Sequence, residues 1–136
     1  MSRQILVWIW AFPVGTSLGL LAGTLGLLTG GSARRVGPTL EFHGGFAKWF
    51  LHRVRSRAMT LGHVIIGCSL HDLDDTHHHE RVHVRQYELW GPAFIPAYFL
   101  SSIFQLLRGR HPYWDNSFER EAFADDERRA TERQRD

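Results

Sequence analysis

The chain has 136 residues, a length that holds one domain with a single core and excludes two independent ones. Its formal net charge of +2 rests almost wholly on arginine, with Lys48 the only lysine, and no RNP, zinc-finger or helix-turn-helix pattern accompanies the basic residues. A dispersed basic balance of this kind points away from nucleic acid, and a single cysteine, Cys68, excludes an internal disulfide.

No charged residue falls between Arg3 and Arg34, and Ile5 to Leu28 is dominated by Leu, Ile, Val, Trp, Ala and Gly. A helix of about 24 residues rises ~36 Å at ~1.5 Å per residue, enough for a ~30 Å hydrocarbon layer. Residues 1–33 are therefore expected to form an N-terminal transmembrane anchor, with lipid as a partner and the protein located in the membrane. Pro13, Gly15, Gly19, Gly23 and Gly26 are tolerated in membrane helices, and Trp8 and Trp10 suit an interface. The run is too long for a cleaved signal peptide and lacks a small-x-small site after it. Arg34 and Arg35 follow the span against Arg3 before it, which places the remainder on the cytoplasmic side.

After a turn at Gly37-Pro38, Leu40-Glu41-Phe42-His43 alternates as a half-buried strand does. Phe46 to Val54 mixes aromatics with Lys48, His52 and Arg53 and is assigned to no element. Met59 to Ile66 is rich in β-branched residues and reads as a strand, so an antiparallel sheet is expected here. Asp72, Asp74, Asp75 and Thr76 offer caps for a helix over His77 to Trp90 that Gly91-Pro92 ends. Ala97 to Leu107 reads as a further helix. Ser117 to Arg133 reads as a last one, capped by Ser117. The divisions are an anchor over 1–33, a domain over 34–124 and a charged tail over 125–136.

The chemistry lies in His79-Glu80-Arg81-Val82-His83. Residues four apart share a helix face, so both imidazoles can address one ion while Glu80 stands at its edge. Zinc with three protein ligands keeps an open position, and a neighbouring carboxylate there can take a proton from water. A helix further along the chain holds Phe118-Glu119-Arg120-Glu121-Ala122, with two more carboxylates.

At this point the sequence resembles the zincin superfamily, specifically its gluzincin group, in which HExxH on one helix is completed by a glutamate from a later helix. It is most similar to small bacterial membrane-associated zincin-like proteins that carry strings like His79 to Glu88, then Trp90-Gly91-Pro92, Pro96-Ala97-Tyr98 and Asn116-x-Phe118-Glu119-x-Glu121-Ala122. The resemblance covers residues 60–124. It implies an α+β minimal zincin: a small antiparallel sheet, the HExxH helix and a ligand-bearing C-terminal helix behind the N-terminal span. It further implies Zn2+ as cofactor, His79 and His83 as ligands, Glu80 as general base and Glu119 as third ligand. Glu121 remains the alternative, because Ala124 and Asp125 follow it in an ExxAD pattern.

The activity so implied is hydrolysis of a peptide or protein substrate. The alternative is a non-catalytic zinc-binding membrane protein that uses the scaffold to hold a partner. In peptidases of this type a strand beside the zinc helix aligns the substrate backbone, which makes His63 a candidate substrate contact. The apolar stretch Leu89 to Leu107 cannot cross a bilayer if His83 and Glu119 share an ion, since ~30 Å of hydrocarbon would part them. It is expected to lie on the zinc helix or at the interface and to return Glu119 to the site.

Overall fold

Apolar and β-branched residues at the centre of the chain build a four-stranded sheet of order β1-β2-β4-β3, in a computed structural model that describes residues 12–135 together with Arg3 and Ile5. Its strands are β1 (Ser32–Val36), β2 (Thr39–His43), β3 (Ala58–Leu61) and β4 (Val64–Gly67). β1 pairs antiparallel with β2, and β3 pairs antiparallel with β4 across the Gly62-His63 turn. β2 and β4, however, run parallel, with Leu40 opposite Val64 and Phe42 opposite Ile66. The sheet is thus mixed and not antiparallel as expected. The reason is α2 (Gly45–Arg53), in the stretch that had no assignment: it carries the chain back along the sheet, so that β4 enters beside β2 in the same direction.

Because successive strand residues face opposite sides, β4 supplies two cores. Val64, Ile66 and Cys68 join Phe42 with Ala47 and Leu51 of α2 on one face, and Ile65 meets Leu73 and Val84 on the other. The first face is closed by α1 (Ser17–Leu28), which follows one π-helical turn, Phe12–Thr16. The second face carries α3 (Leu70–Trp90), the longest helix among the described residues. Ser69 caps α3, accepting from the Asp72 N–H at 3.1 Å and donating to the Asp72 carboxylate at 2.7 Å. The helix stops at Gly91, whose φ of 55° few other residues accept, ahead of Pro92. A short 3₁₀ turn leads into α4 (Phe94–Leu107), and α5 (Ser117–Arg135) then returns along α3.

The transmembrane expectation is overturned. Among the described residues no helix is long and apolar enough to cross a membrane, so neither the span over Ile5–Leu28 nor the membrane location inferred from it stands. Residues 6–11 of that stretch lie outside the described ones. Its described residues include α1, which has 12 residues and buries Gly19, Gly23 and Gly26. A stripe of small residues lets helices approach closely in a membrane, and here it lets α1 approach a sheet. A Cβ on Gly23 would lie 2.5 Å from the Phe42 ring and one on Gly19 2.5 Å from Val64 Cβ, whereas at Gly26 the nearest atom is 3.9 Å away. The expected tail boundary at 125 also falls inside α5, which runs on to Arg135 without a break.

The glycine stripe gives opposite expectations within one helix. Gly26→Ala gains helix propensity without a clash and should stabilise the fold by up to ~1 kcal/mol, while Gly23→Ala must displace Phe42 and should cost about 1–2 kcal/mol net. Urea denaturation midpoints of the two variants check the sign of each.

Candidate functional site

The site is built where one face of α3 meets one face of α5. On α3, Leu73, Val82 and Val84 are buried, and Leu73 and Val84 fix the helix against the sheet at Ile65. That register turns His79 and His83 toward α5. On α5, Glu119, Ala122 and Asp126 recur at helical spacing on the side facing α3, and the fully buried Ala122 allows the two backbones to come close. Phe123 covers the His79 ring, with centroids 4.9 Å apart.

Three donor atoms converge as a result. His79 Nε2 lies 3.0 Å from Glu119 Oε2, His83 Nε2 lies 3.3 Å from the same oxygen, and the two nitrogens are 3.3 Å apart. This is the one group of three among the described residues that could hold a metal ion. The donor set fits the ion that the sequence implies. Two imidazoles and a carboxylate suit zinc, and tetrahedral bonds of ~2.0–2.1 Å put neighbouring donors about 3.3 Å apart. The triangle already has nearly those edges.

A second ring of contacts aims the donors. His79 Nδ1 donates to Asp126 Oδ2 at 3.0 Å and His83 Nδ1 to Gln86 Oε1 at 2.8 Å. The orientation of the Gln86 amide is forced, because its NH2 group donates to Phe118 O at 3.1 Å and to Glu121 Oε2 at 3.0 Å. Its oxygen must then face His83 and accept from Nδ1–H, which directs Nε2 to the cluster. Tyr98 donates to Glu119 Oε1 at 2.6 Å and leaves Oε2 to the histidines.

Burial works against a charged His79, but hydrogen bonds to the Glu119 and Asp126 carboxylates outweigh it and raise the ring to about 9. For Glu119, burial pushes upward, yet the hydrogen bonds from His79 and His83 hold it down to about 2. Burial opposes a charged His83 as well, and Glu119 and Glu80 raise it all the same. The Tyr98 hydroxyl is raised, first by burial and then by the bond to Glu119, so it stays a donor.

Glu80, one residue after the first histidine, is buried, and its Oε2 accepts a 2.6 Å hydrogen bond from Thr60 on β3. It lines a cavity of about 330 Å³ together with His83 and Tyr98. Of the two candidate third ligands, the structure brings Glu119 to the histidines, while Glu121, two positions on and turned away, holds Gln86. His63 is fully buried in the β3–β4 turn with Nε2 3.0 Å from Glu88, and it is not among the cavity's lining residues.

Sequence reasoning missed Gln86, Asp126 and Thr60. Gln86 and Asp126 leave a signal, one three residues after His83 and the other seven after Glu119 on the same face. Thr60 leaves none, being placed by the sheet. Asp74 and Asp75, expected as helix caps, lie within α3 and pair with Arg34 and Arg57. Comparisons with family models, with curated proteins and with solved structures find no match to this chain.

Two outcomes follow from the second ring and the raised histidine. Gln86→Leu removes the group that orients His83 and should weaken zinc binding by roughly 10–100-fold, read by competition with a fluorescent chelator. In the metal-free protein His79 keeps its proton up to about pH 9. Zinc must displace it, so affinity should rise with pH below that point, roughly tenfold per unit for each proton released. The same competition at pH 6.5 and 8.5 measures the slope.

Proposed function

We propose that this protein is a small zincin-like, zinc-dependent peptidase that hydrolyses peptide bonds with Glu80 as general base. The observation that carries the proposal is the convergence of His79 Nε2, His83 Nε2 and Glu119 Oε2 within hydrogen-bonding distance of one another, with Glu80 on the adjoining cavity wall. Three protein donors are the number that leaves an open position, whereas a structural zinc site closes with a fourth. The lone cysteine, Cys68, belongs to the core on the far face of the sheet.

His79, His83 and Glu119 would hold the ion, and Asp126, Gln86 and Tyr98 keep those three side chains aimed. Bound zinc supplies Lewis acidity toward a scissile carbonyl and makes water a readier proton donor. Glu80 accepts the proton of the attacking water and delivers it to the leaving amine. Thr60 fixes Oε2 of Glu80, which leaves Oε1 for the proton. The edge strand β3 contributes Met59, Thr60 and Leu61 to the cavity wall, and a strand with no neighbour on its outer side among the described residues is suited to aligning an extended peptide.

The test is the zinc content of protein purified without a histidine tag, measured by elemental analysis in wild type and in His83→Ala, Glu80→Gln, Glu119→Gln and Glu121→Gln. Wild type and Glu80→Gln should hold close to one zinc per chain, His83→Ala and Glu119→Gln should lose it, and Glu121→Gln should keep it with reduced affinity. Glu80→Gln should also lower peptide hydrolysis by roughly 10²–10⁴-fold. Wild type without zinc, or His83→Ala with its full complement, would overturn the site. Zinc bound as expected with no hydrolysis of any peptide by wild type would instead favour a partner-binding scaffold.

A further inference from the structure

We infer that the outer face of α4 seats a second copy of this chain, packed antiparallel across a twofold axis. For a surface helix α4 is inverted. Gln105 is buried and Ser101 and Ser102 are half-buried, while Phe99, Leu100, Ile103, Phe104, Leu106 and Leu107 are 52–82% exposed; a helix on a core ordinarily does the reverse. Polar bonds fix its rotation. Tyr98 donates to Glu119 at 2.6 Å, Asn116 Nδ2 to Ser102 Oγ at 2.8 Å, and the Ser117 N–H to Ser101 Oγ at 3.0 Å. Turning the helix to bury its leucines would break all three, so the outer face stays bare among the described residues.

The size and pattern of that face select its occupant. At ~200 Å² for a large apolar side chain, the six residues expose roughly 750 Å², more than the largest patch of about 300–600 Å² on a typical monomer and close to the ~800 Å² that each partner buries in a standard interface. Leu100, Ile103 and Leu107 recur at steps of three and four, the spacing of a seam that receives a facing helix. No charged residue falls between Phe94 and Leu107, so two such seams meet without stranding an ion. The charges begin just beyond, at Arg108 and Arg110. Parallel packing would set the two basic ends side by side, whereas antiparallel packing parts them by about the ~21 Å length of the helix. Ile103, midway along the exposed run, then falls at the axis against its own counterpart. A bilayer is the poorer match. A helix at a lipid surface keeps a cationic polar face in water, and the polar face of α4 carries no base and is turned into the protein. The pairing does not depend on the peptidase reading, although Phe99 also lines the cavity beside Glu80 and brings the second copy to its edge.

Sedimentation velocity of the full chain in detergent-free buffer is the test. Wild type should sediment at twice its 15.7 kDa mass, and Leu100→Glu combined with Ile103→Glu should raise the dissociation constant of the dimer at least ~100-fold. Both positions are open to water in the single chain, so the urea midpoint of the double variant should stay near that of the wild-type monomer. Leu21→Glu, on the exposed face of α1, should leave the dimer intact. Under mild oxidation Ile103→Cys should form an intermolecular disulfide, with the native Cys68 buried out of reach, and Leu107→Cys should not. If the double variant does not fold, the two cysteine variants decide. The proposal is overturned by a wild-type monomer at every concentration up to ~100 µM, or by a dimer that survives the double substitution or is lost in Leu21→Glu. Ready cross-linking of Leu107→Cys overturns the antiparallel axis, and a monomer that floats with phosphatidylglycerol vesicles shows lipid, not a second copy, on this face.

Discussion

Two imidazoles and a carboxylate are buried together between α3 and α5, and most of the architecture on that side of the sheet answers to this one fact. Polar groups removed from water cost several kcal/mol unless each finds a partner. Here Asp126, Gln86 and Tyr98 take up the hydrogen-bonding capacity that the three groups do not direct at one another. The requirement reaches α4, whose polar residues turn inward: Ser102 accepts from Asn116 at 2.8 Å and Ser101 from the Ser117 N–H at 3.0 Å, while Leu100, Ile103 and Leu107 remain exposed. The middle of α4 is thereby tied to the start of α5, two residues before Glu119.

The sheet serves as a platform with two different tasks. Its Phe42, Val64 and Ile66 face builds an apolar core with α1 and α2, where close packing and the glycines of α1 decide the fit. Its other face holds α3 through Ile65, Leu73 and Val84, and the same face reaches the chemistry through Thr60. Glu41 on that face is fully buried and held by Arg34 at 2.7 Å, with His77 3.3 Å away, so the beginning of the histidine-rich run is anchored by a charge network apart from the site. His77 therefore has a structural partner of its own, which distinguishes it from His79.

Legibility in the sequence followed the range of the interaction. The pairing of His79 with His83 and the placing of Glu80 depend on helical spacing within one turn, and both could be read directly. The choice between Glu119 and Glu121 depends on which face of α5 meets α3. That face is marked by Ala122 and Asp126, a pattern spread over two turns of the helix expected over Ser117 to Arg133, and helical spacing alone does not say which face meets α3. The sheet was half legible: β2 alternates and β4 is marked by its β-branched residues, but their parallel pairing depends on α2, whose mixture of aromatics and bases hides its period. The membrane span was misread because apolar, glycine-rich sequence looks alike whether its small residues face another helix in lipid or the rings and methyls of a sheet. Composition measures hydrophobicity, while the geometry at Gly23 and Phe42 reveals what the helix is for.

His79 and Glu119 stand 40 residues apart in the chain, and this separation gives the centre a chronology. The histidine helix is synthesised first and by itself offers only two donors. The third arrives when α5 has emerged and settled against α3, with Asp126 meeting His79 as it does so. The three-donor cluster is thus completed late, and Glu119 reaches the histidines only when the last helix has found its place.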